Sequence, residues 1–252
     1  MHNELLHIGP VTIYGYGLMI ALGIIAALTI AEIRAKKIGL NTDALYYLTF
    51  VCAVTGFLGA KGLFVLVEFE SFLDNPAMVL SGNGFVVYGG IICGVLGGLA
   101  YCKFTGKDFW DYFDIVLPSV AVAQGLGRVG CFLAGCCYGR ETDAWYGIAF
   151  TNSEFAPNGV KLIPTQLISA AGMLLIAVFL MWYATRNHKK GQVGALYLVL
   201  YSMGRFGIEF LRNDYRGEIG PLSTSQFISC FVVVFGLVLW FVRGKKSGEA
   251  TT

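Results

Sequence analysis

GYGLMIALGIIAALTIAEI, residues 15–33, carries no charge before Glu32 and is followed by Arg34, Lys36 and Lys37. An uncharged run of this length suits a helix crossing a hydrocarbon core, and bases at its far end mark the cytoplasmic side. No basic segment precedes the run, and it is longer than the apolar region of a cleaved leader, so it reads as a retained span. The pattern recurs at 45–67, 85–102, 113–134, 164–184, 192–211 and 222–242. These runs are continuous in Leu, Ile, Val, Ala and Gly, unlike the alternating strands of a membrane barrel. Charged residues make up 13% of the chain, about half the ~25% of an ordinary soluble domain. The expectation is one all-α integral membrane domain over residues 1–252, with about seven transmembrane helices.

Loop charge orients it. Arg34, Lys36, Lys37, Lys103, Lys107, Arg186, Lys189, Lys190, Arg243, Lys245 and Lys246 fall in alternate loops, whereas the opposite loops hold Arg140, Lys161, Arg212 and Arg216. This places the N-terminus outside and the C-terminus in the cytoplasm. The longest loop, 136–163, is expected to form a small extracytoplasmic cap. A net charge of +2 leaves no surplus for a nucleic-acid surface.

Cys52, Cys93, Cys102 and Cys230 lie in or beside spans, where cysteine acts as a small apolar filler. Cys131, Cys136 and Cys137 cluster in sequence. Packing, a disulfide on the outer face and metal ligation are all open to them, and metal is the least favoured: no histidine is near, and neighbouring cysteines suit tetrahedral ligation poorly. No metal and no cofactor is expected.

Three bases lie inside spans: Lys61, Arg128 and Arg205. Each precedes the outer end of its run by about six residues, which at about 1.5 Å per residue sets all three about 9 Å below the outer surface. An intramembrane cation requires a partner, water or a function. Tyr16, Tyr88 and Gln166 begin spans from that same side, Glu209 lies one turn beyond Arg205, and Gln124 shares a helix face with Arg128. Together they outline a cationic pocket suited to a phosphate with apolar tails. A structural reading stands beside it: Arg205 and Glu209 as an ion pair holding the bundle, Lys61 snorkelling outward, and Tyr16 and Tyr88 as aromatic-belt residues.

GRVGCFLAGCCYGR (127–140) resembles the signature segment of the prolipoprotein diacylglyceryl transferases, GRxGNFxNGE followed by an aromatic residue and glycine. IGPVTIYGYGLM (8–19), GFLGAKGLFVL (56–66), VYGG (87–90), PTQL (164–167) and GRFGIEFLR (204–212) resemble further family segments in the same order. The resemblance implies a multi-pass enzyme of the bacterial inner membrane. Its partners would be phosphatidylglycerol and a preprolipoprotein bearing a lipobox cysteine, whose thiol receives the diacylglyceryl group as glycerol phosphate leaves. It further implies that Arg128 and Arg205 clamp the phosphate, that Lys61 adds positive charge where the family has arginine, and that Tyr16, Gln166 and Glu209 orient headgroup or helices.

Four positions depart from the family pattern. Tyr88 replaces the histidine of HGG, Cys131 the asparagine after GRxG, Cys136 the signature glutamate, and Ile163 the histidine before PSQL. Tyr88 becomes the candidate catalytic hydrogen-bond donor at its position. These departures leave room for a related phospholipid-dependent transferase with another acceptor, and a non-enzymatic transporter is the reading from a different class.

Overall fold

The computed structural model describes residues 4–8, 11–76, 84–213, 218–219 and 221–245; Arg216 and Lys246, used above for orientation, lie outside the described residues. The chain begins with an antiparallel hairpin of β1 (Glu4–Ile8) and β2 (Val11–Tyr14), in which His7 is exposed and bonds Thr12 at 3.1 Å. Helices α1 (Gly15–Lys37), α2 (Thr42–Val67), the short α3 (Phe69–Asp74), α4 (Val87–Thr105) and α5 (Phe109–Ala134) follow. A small pair, β3 (Ile148–Ala149) and β4 (Lys161–Leu162), precedes α6 (Thr165–Tyr183) and α7 (Gln192–Glu209). A last pair, β5 (Glu218–Ile219) and β6 (Leu222–Ser223), leads into α8 (Thr224–Lys245).

Six of these helices, α1, α2, α4, α5, α6 and α8, are long and apolar enough to cross a membrane. Each lies within about four residues of the run that predicted it, the scatter usual for helix ends. The run at 192–211 is also helical, but α7 is only 18 residues long and includes Gln192, Arg205 and Glu209. Large apolar side chains point outward along the helices, among them Phe50, Phe57, Leu175 and Phe231, each more than 60% exposed. Such a surface matches lipid as solvent, because the helices satisfy their own backbone groups.

The chain divides into two compact units, Met1–Ala31 with Phe113–Thr252, and Glu32–Tyr112. In the second unit α2 and α4 pack antiparallel at backbone contact. A Cβ added to Gly59 would stand 2.6 Å from the Gly89 carbonyl oxygen, closer than real side chains come, so only glycine permits the approach.

The first unit is a bundle with two distinct ends. Gly23 of α1 lies against Ala123 of α5, and Gly125 of α5 against Ala170 and Leu174 of α6. Ala121, Met173, Ala177, Leu180, Val193 and Tyr197 form the buried core between α5, α6 and α7. At one end Asp114 of α5 accepts the backbone N–H groups of Gly191 and Gly194 at the start of α7, at 2.6 and 2.8 Å. Nearby, Arg243 of α8 donates to the Lys190 carbonyl at 2.8 Å. At the other end Arg205 of α7 reaches Ser225 of α8. Helix α7 therefore runs between the same two ends as α5 and α8.

Candidate functional site

The site end is built around the last turns of α5. Gly130 is buried, and a Cβ there would lie 3.2 Å from both the Tyr16 ring and Met19 Cβ, so glycine lets α1 lie close against α5. This brings Tyr16 within electrostatic reach of Arg128 and of all three clustered cysteines. Arg128 is half-buried inside an apolar helix, and no carboxylate pairs with it among the described residues.

Beyond α5 the chain reverses. Gly135 has φ +75°, the Cys136 N–H donates to the Cys131 carbonyl at 3.1 Å, and Cys137 takes a left-handed φ of +62°, uncommon for a residue with a β-carbon. The following segment is knitted to two others. Gly139 N–H donates to Ile163 O at 3.1 Å and Arg140 N–H to Leu211 O at 2.9 Å. Phe150, Ala156 and Leu162 form a small core packed against Phe132, Tyr138 and Val160, which ties this segment to the end of α5.

This reversal brings the sulfurs of Cys131, Cys136 and Cys137 within 4.8 Å of one another. Hydrogen bonds from Cys131 and Cys136, then the Arg212 guanidinium, pull the Cys137 thiol well below its usual range. The same contacts with Cys131 and Cys137, together with burial, push Cys136 up. The backbone of the turn is fixed from α6: Gln166 Nε2 donates to the Cys136 carbonyl and Thr165 Oγ1 to the Cys137 carbonyl, both at 2.8 Å.

Gln166 is 1% exposed, and its Oε1 has no hydrogen-bond partner among the described residues. A buried amide oxygen left unpaired costs about 1–3 kcal/mol, so a donor arriving with a ligand would be favoured there. Arg205 is differently placed. Its Nη1 lies 2.8 Å from Glu209 Oε2, both side chains are nearly buried, and Nη2 donates to Ser225 Oγ at 2.7 Å. The ion pair that the sequence spacing allowed is therefore present. Gln124 accepts the Tyr197 hydroxyl at 2.8 Å and so is tied into the bundle.

Tyr16, Arg128, Gln166, Arg205 and Glu209 belong to one unit; Lys61 and Tyr88 belong to the other. Within that unit Lys61 donates to the Gly84 carbonyl at 3.3 Å, and its ammonium sits 5.1 Å from the Phe64 ring and 4.9 Å from the Phe85 ring. Tyr88 lies in the first turn of α4 and is exposed.

Sequence reasoning missed Arg212, treating it as a loop base. It is 6% exposed and faces Cys137. The signal was present, since Arg212 closes the segment GRFGIEFLR. Tyr197 and Ser225 carried no comparable signal, as hydroxyls at helical spacing inside apolar runs.

The family model described as prolipoprotein diacylglyceryl transferase matches residues 3–242. A phosphatidylglycerol–prolipoprotein diacylglyceryl transferase of Clostridium tetani is 48% identical, covering 90% of this chain and 92% of the relative. Two such proteins of Clostridium perfringens, numbered 2 and 1, are 44% and 34% identical; each alignment covers 95% of this chain and 94% of the relative.

Proposed function

We propose, since the chain belongs to the prolipoprotein diacylglyceryl transferase family, that it moves a diacylglyceryl group from phosphatidylglycerol to the lipobox cysteine thiol of a preprolipoprotein. The acceptor sulfur attacks the glyceryl carbon, the carbon–oxygen bond to phosphate breaks, and glycerol phosphate leaves. A thioether results. Charge develops on the departing phosphate, so fixed cations and donors there lower the barrier.

The observation that carries this reading is Arg128: a half-buried guanidinium in a membrane helix with no carboxylate paired to it among the described residues, and therefore suited to an anion from outside the chain. Arg205, held by Glu209 and Ser225, is the second member of the clamp. Gln166 Oε1 would accept a headgroup hydroxyl. Tyr16 would orient the headgroup, Lys61 would add positive charge, and Tyr88 would donate a hydrogen bond to the leaving group. An apolar groove of about 750 Å³ along α2 and α4, lined in part by Leu58, Leu63, Leu66, Ile92 and Leu96, is suited to an acyl chain. Purified protein incubated with labelled phosphatidylglycerol and a lipobox peptide should yield a thioether-linked diacylglyceryl product. No product with that peptide, but labelling of another acceptor, would favour the alternative transferase.

The proposed setting is the bacterial inner membrane, crossed seven times, with the N-terminus outside and the C-terminus in the cytoplasm. Two observations support it: α7 runs between the same ends as α5 and α8, and Arg186, Lys189, Lys190 and Arg243 gather at the end opposite the site. With the native cysteines replaced, a thiol at Asn75 should react with an impermeant reagent on intact cells, and one at Gly244 should not. The reverse pattern would invert the orientation.

A further inference from the structure

We propose that Cys131, Cys136 and Cys137 form a three-thiolate site for a thiophilic d¹⁰ cation of the Zn²⁺ class, with an open fourth position that takes the acceptor thiol. The metal site stands on the geometry of the trio; the acceptor's place in it rests on the transferase reading.

Sequence spacing argues against ligation because neighbouring side chains diverge. The turn removes that objection. Gly135 and Cys137 both adopt positive φ, which swings Cys136 and Cys137 back onto the end of α5, and the three sulfurs come within 4.8 Å of one another. Zinc–sulfur bonds of about 2.3 Å at tetrahedral angles hold sulfurs about 3.8 Å apart, so closure requires shifts of about 1 Å or less. Left-handed backbone at a non-glycine residue is strained, and such strain gathers at functional sites. The ligands are also held before any ion arrives, by α5 on one side and by Gln166 and Thr165 on the carbonyls of Cys136 and Cys137 on the other.

Charge agrees with this assignment. Three thiolates and a divalent ion leave one net negative charge, and the Arg212 guanidinium lies beside Cys137 while Arg128 is within electrostatic reach of Cys131. A disulfide uses the trio less well. Cys136 and Cys137 have Cα atoms about 3.8 Å apart, below the ~4.4 Å minimum for an ordinary bridge, and pairing Cys131 with either leaves a thiol over.

The open position answers a chemical need. Of the described histidines, His7 lies on an exposed hairpin, and His188 is bonded to Arg186 O at the opposite end of the bundle. A thiol that binds zinc is deprotonated outright, so the metal does what a general base would otherwise do. The acceptor thiol displaces hydroxide from the fourth position, and its proton leaves on that hydroxide as water. The bound sulfur attacks the glyceryl carbon, a carbon–sulfur bond forms, the carbon–oxygen bond breaks, and its electron pair stays on the departing phosphate. The thioether, a weak ligand, then gives way to water. No atom changes oxidation state in a way that needs a further reagent.

Co²⁺ added to the reduced, full-length protein in detergent is the direct probe. About one Co²⁺ per chain should bind, with the near-ultraviolet thiolate band and intense visible bands of a tetrahedral site. Cys131→Ser and Cys137→Ser should each weaken binding by tenfold or more while keeping the thermal midpoint of the metal-free protein. A variant lacking Cys52, Cys93 and Cys230 should bind normally. A lipobox peptide should shift the visible bands, and its serine counterpart should not. Three titratable thiols with no cobalt spectrum, a disulfide within the trio of the protein as isolated, or a spectrum that survives Cys131→Ser would each overturn the site. Full thioether synthesis by chelator-stripped enzyme would overturn the acceptor's place on the metal and leave the transferase reading intact. Cobalt binding without product in any metal state would instead overturn the transferase reading and keep the metal site.

Discussion

The two ends of the bundle formed by α5 to α8 differ in how fully their polar groups are paired. At the Asp114 end each group is saturated: both carboxylate oxygens accept backbone N–H groups of α7, Lys189 Nζ donates to Gly244 O at 2.9 Å, and Arg243 donates to Lys190 O. At the cysteine end, among the described residues, Gln166 Oε1 lacks a partner, Arg128 lacks a carboxylate, and three thiols converge. A saturated polar group fixes a helix in place. An unsaturated one costs stability in the free protein, and that cost is recovered when a ligand supplies the missing partner. Substitutions at the two ends should therefore separate into effects on stability and effects on turnover.

The largest effect on turnover belongs to Arg128. Arg128→Ala should lower it by about tenfold to a thousandfold, a few kcal/mol of lost charge stabilisation, with little change in thermal midpoint. Lys should rescue poorly, because an ammonium lacks the guanidinium fork. Near-normal turnover in folded Arg128→Ala protein would break the comparison at its functional end.

Asp114→Ala tests the other end. It strips the first turn of α7 of two charge-assisted hydrogen bonds and should destabilise the protein by about 2–4 kcal/mol, read as a lower unfolding midpoint in detergent. Turnover per folded molecule should stay within about twofold. Asn, which keeps one acceptor oxygen, should fall between.

How far the sequence foretold this division follows from where each signal resides. Hydropathy and loop charge are summed over many residues, so the helical runs and the gathering of bases at one end were legible. Lys61, Arg128 and Arg205 could be singled out in the sequence, because few things explain a base in an apolar run. The Asp114 cap was not, since its partners are backbone groups about 80 residues away and backbone has no sequence signature. The convergence of the three sulfurs was not legible for a related reason: it depends on the positive φ of Cys137, which adjacent cysteines do not advertise.

Tyr88 extends the comparison to the second unit. If its hydroxyl serves the leaving group, Tyr88→Phe should cut turnover by about tenfold, the loss of a hydrogen bond of about 1.5 kcal/mol, and Tyr88→His should retain activity. An active Phe variant would return Tyr88 to the aromatic belt.

The smallest expected effect probes the middle of the bundle, where the Tyr197 hydroxyl donates to Gln124 Oε1 at 2.8 Å and the ring stacks on Tyr201 at 5.7 Å. Gln124 lies one helical turn before Arg128, so the pair is either the last of the saturated, structural contacts or the inner wall of the site. Tyr197→Phe separates these. The ring stays, the hydrogen bond goes, and Gln124 Oε1 is left without its donor, which should cost about 1–2 kcal/mol of stability. If the pair is structural, turnover should change by less than about twofold, because nothing that meets substrate has moved. A tenfold loss of turnover with little change in unfolding midpoint would place Gln124 in contact with the bound headgroup. The boundary between the two ends would then move at least one turn deeper into α5, on the face that Gln124 and Arg128 share.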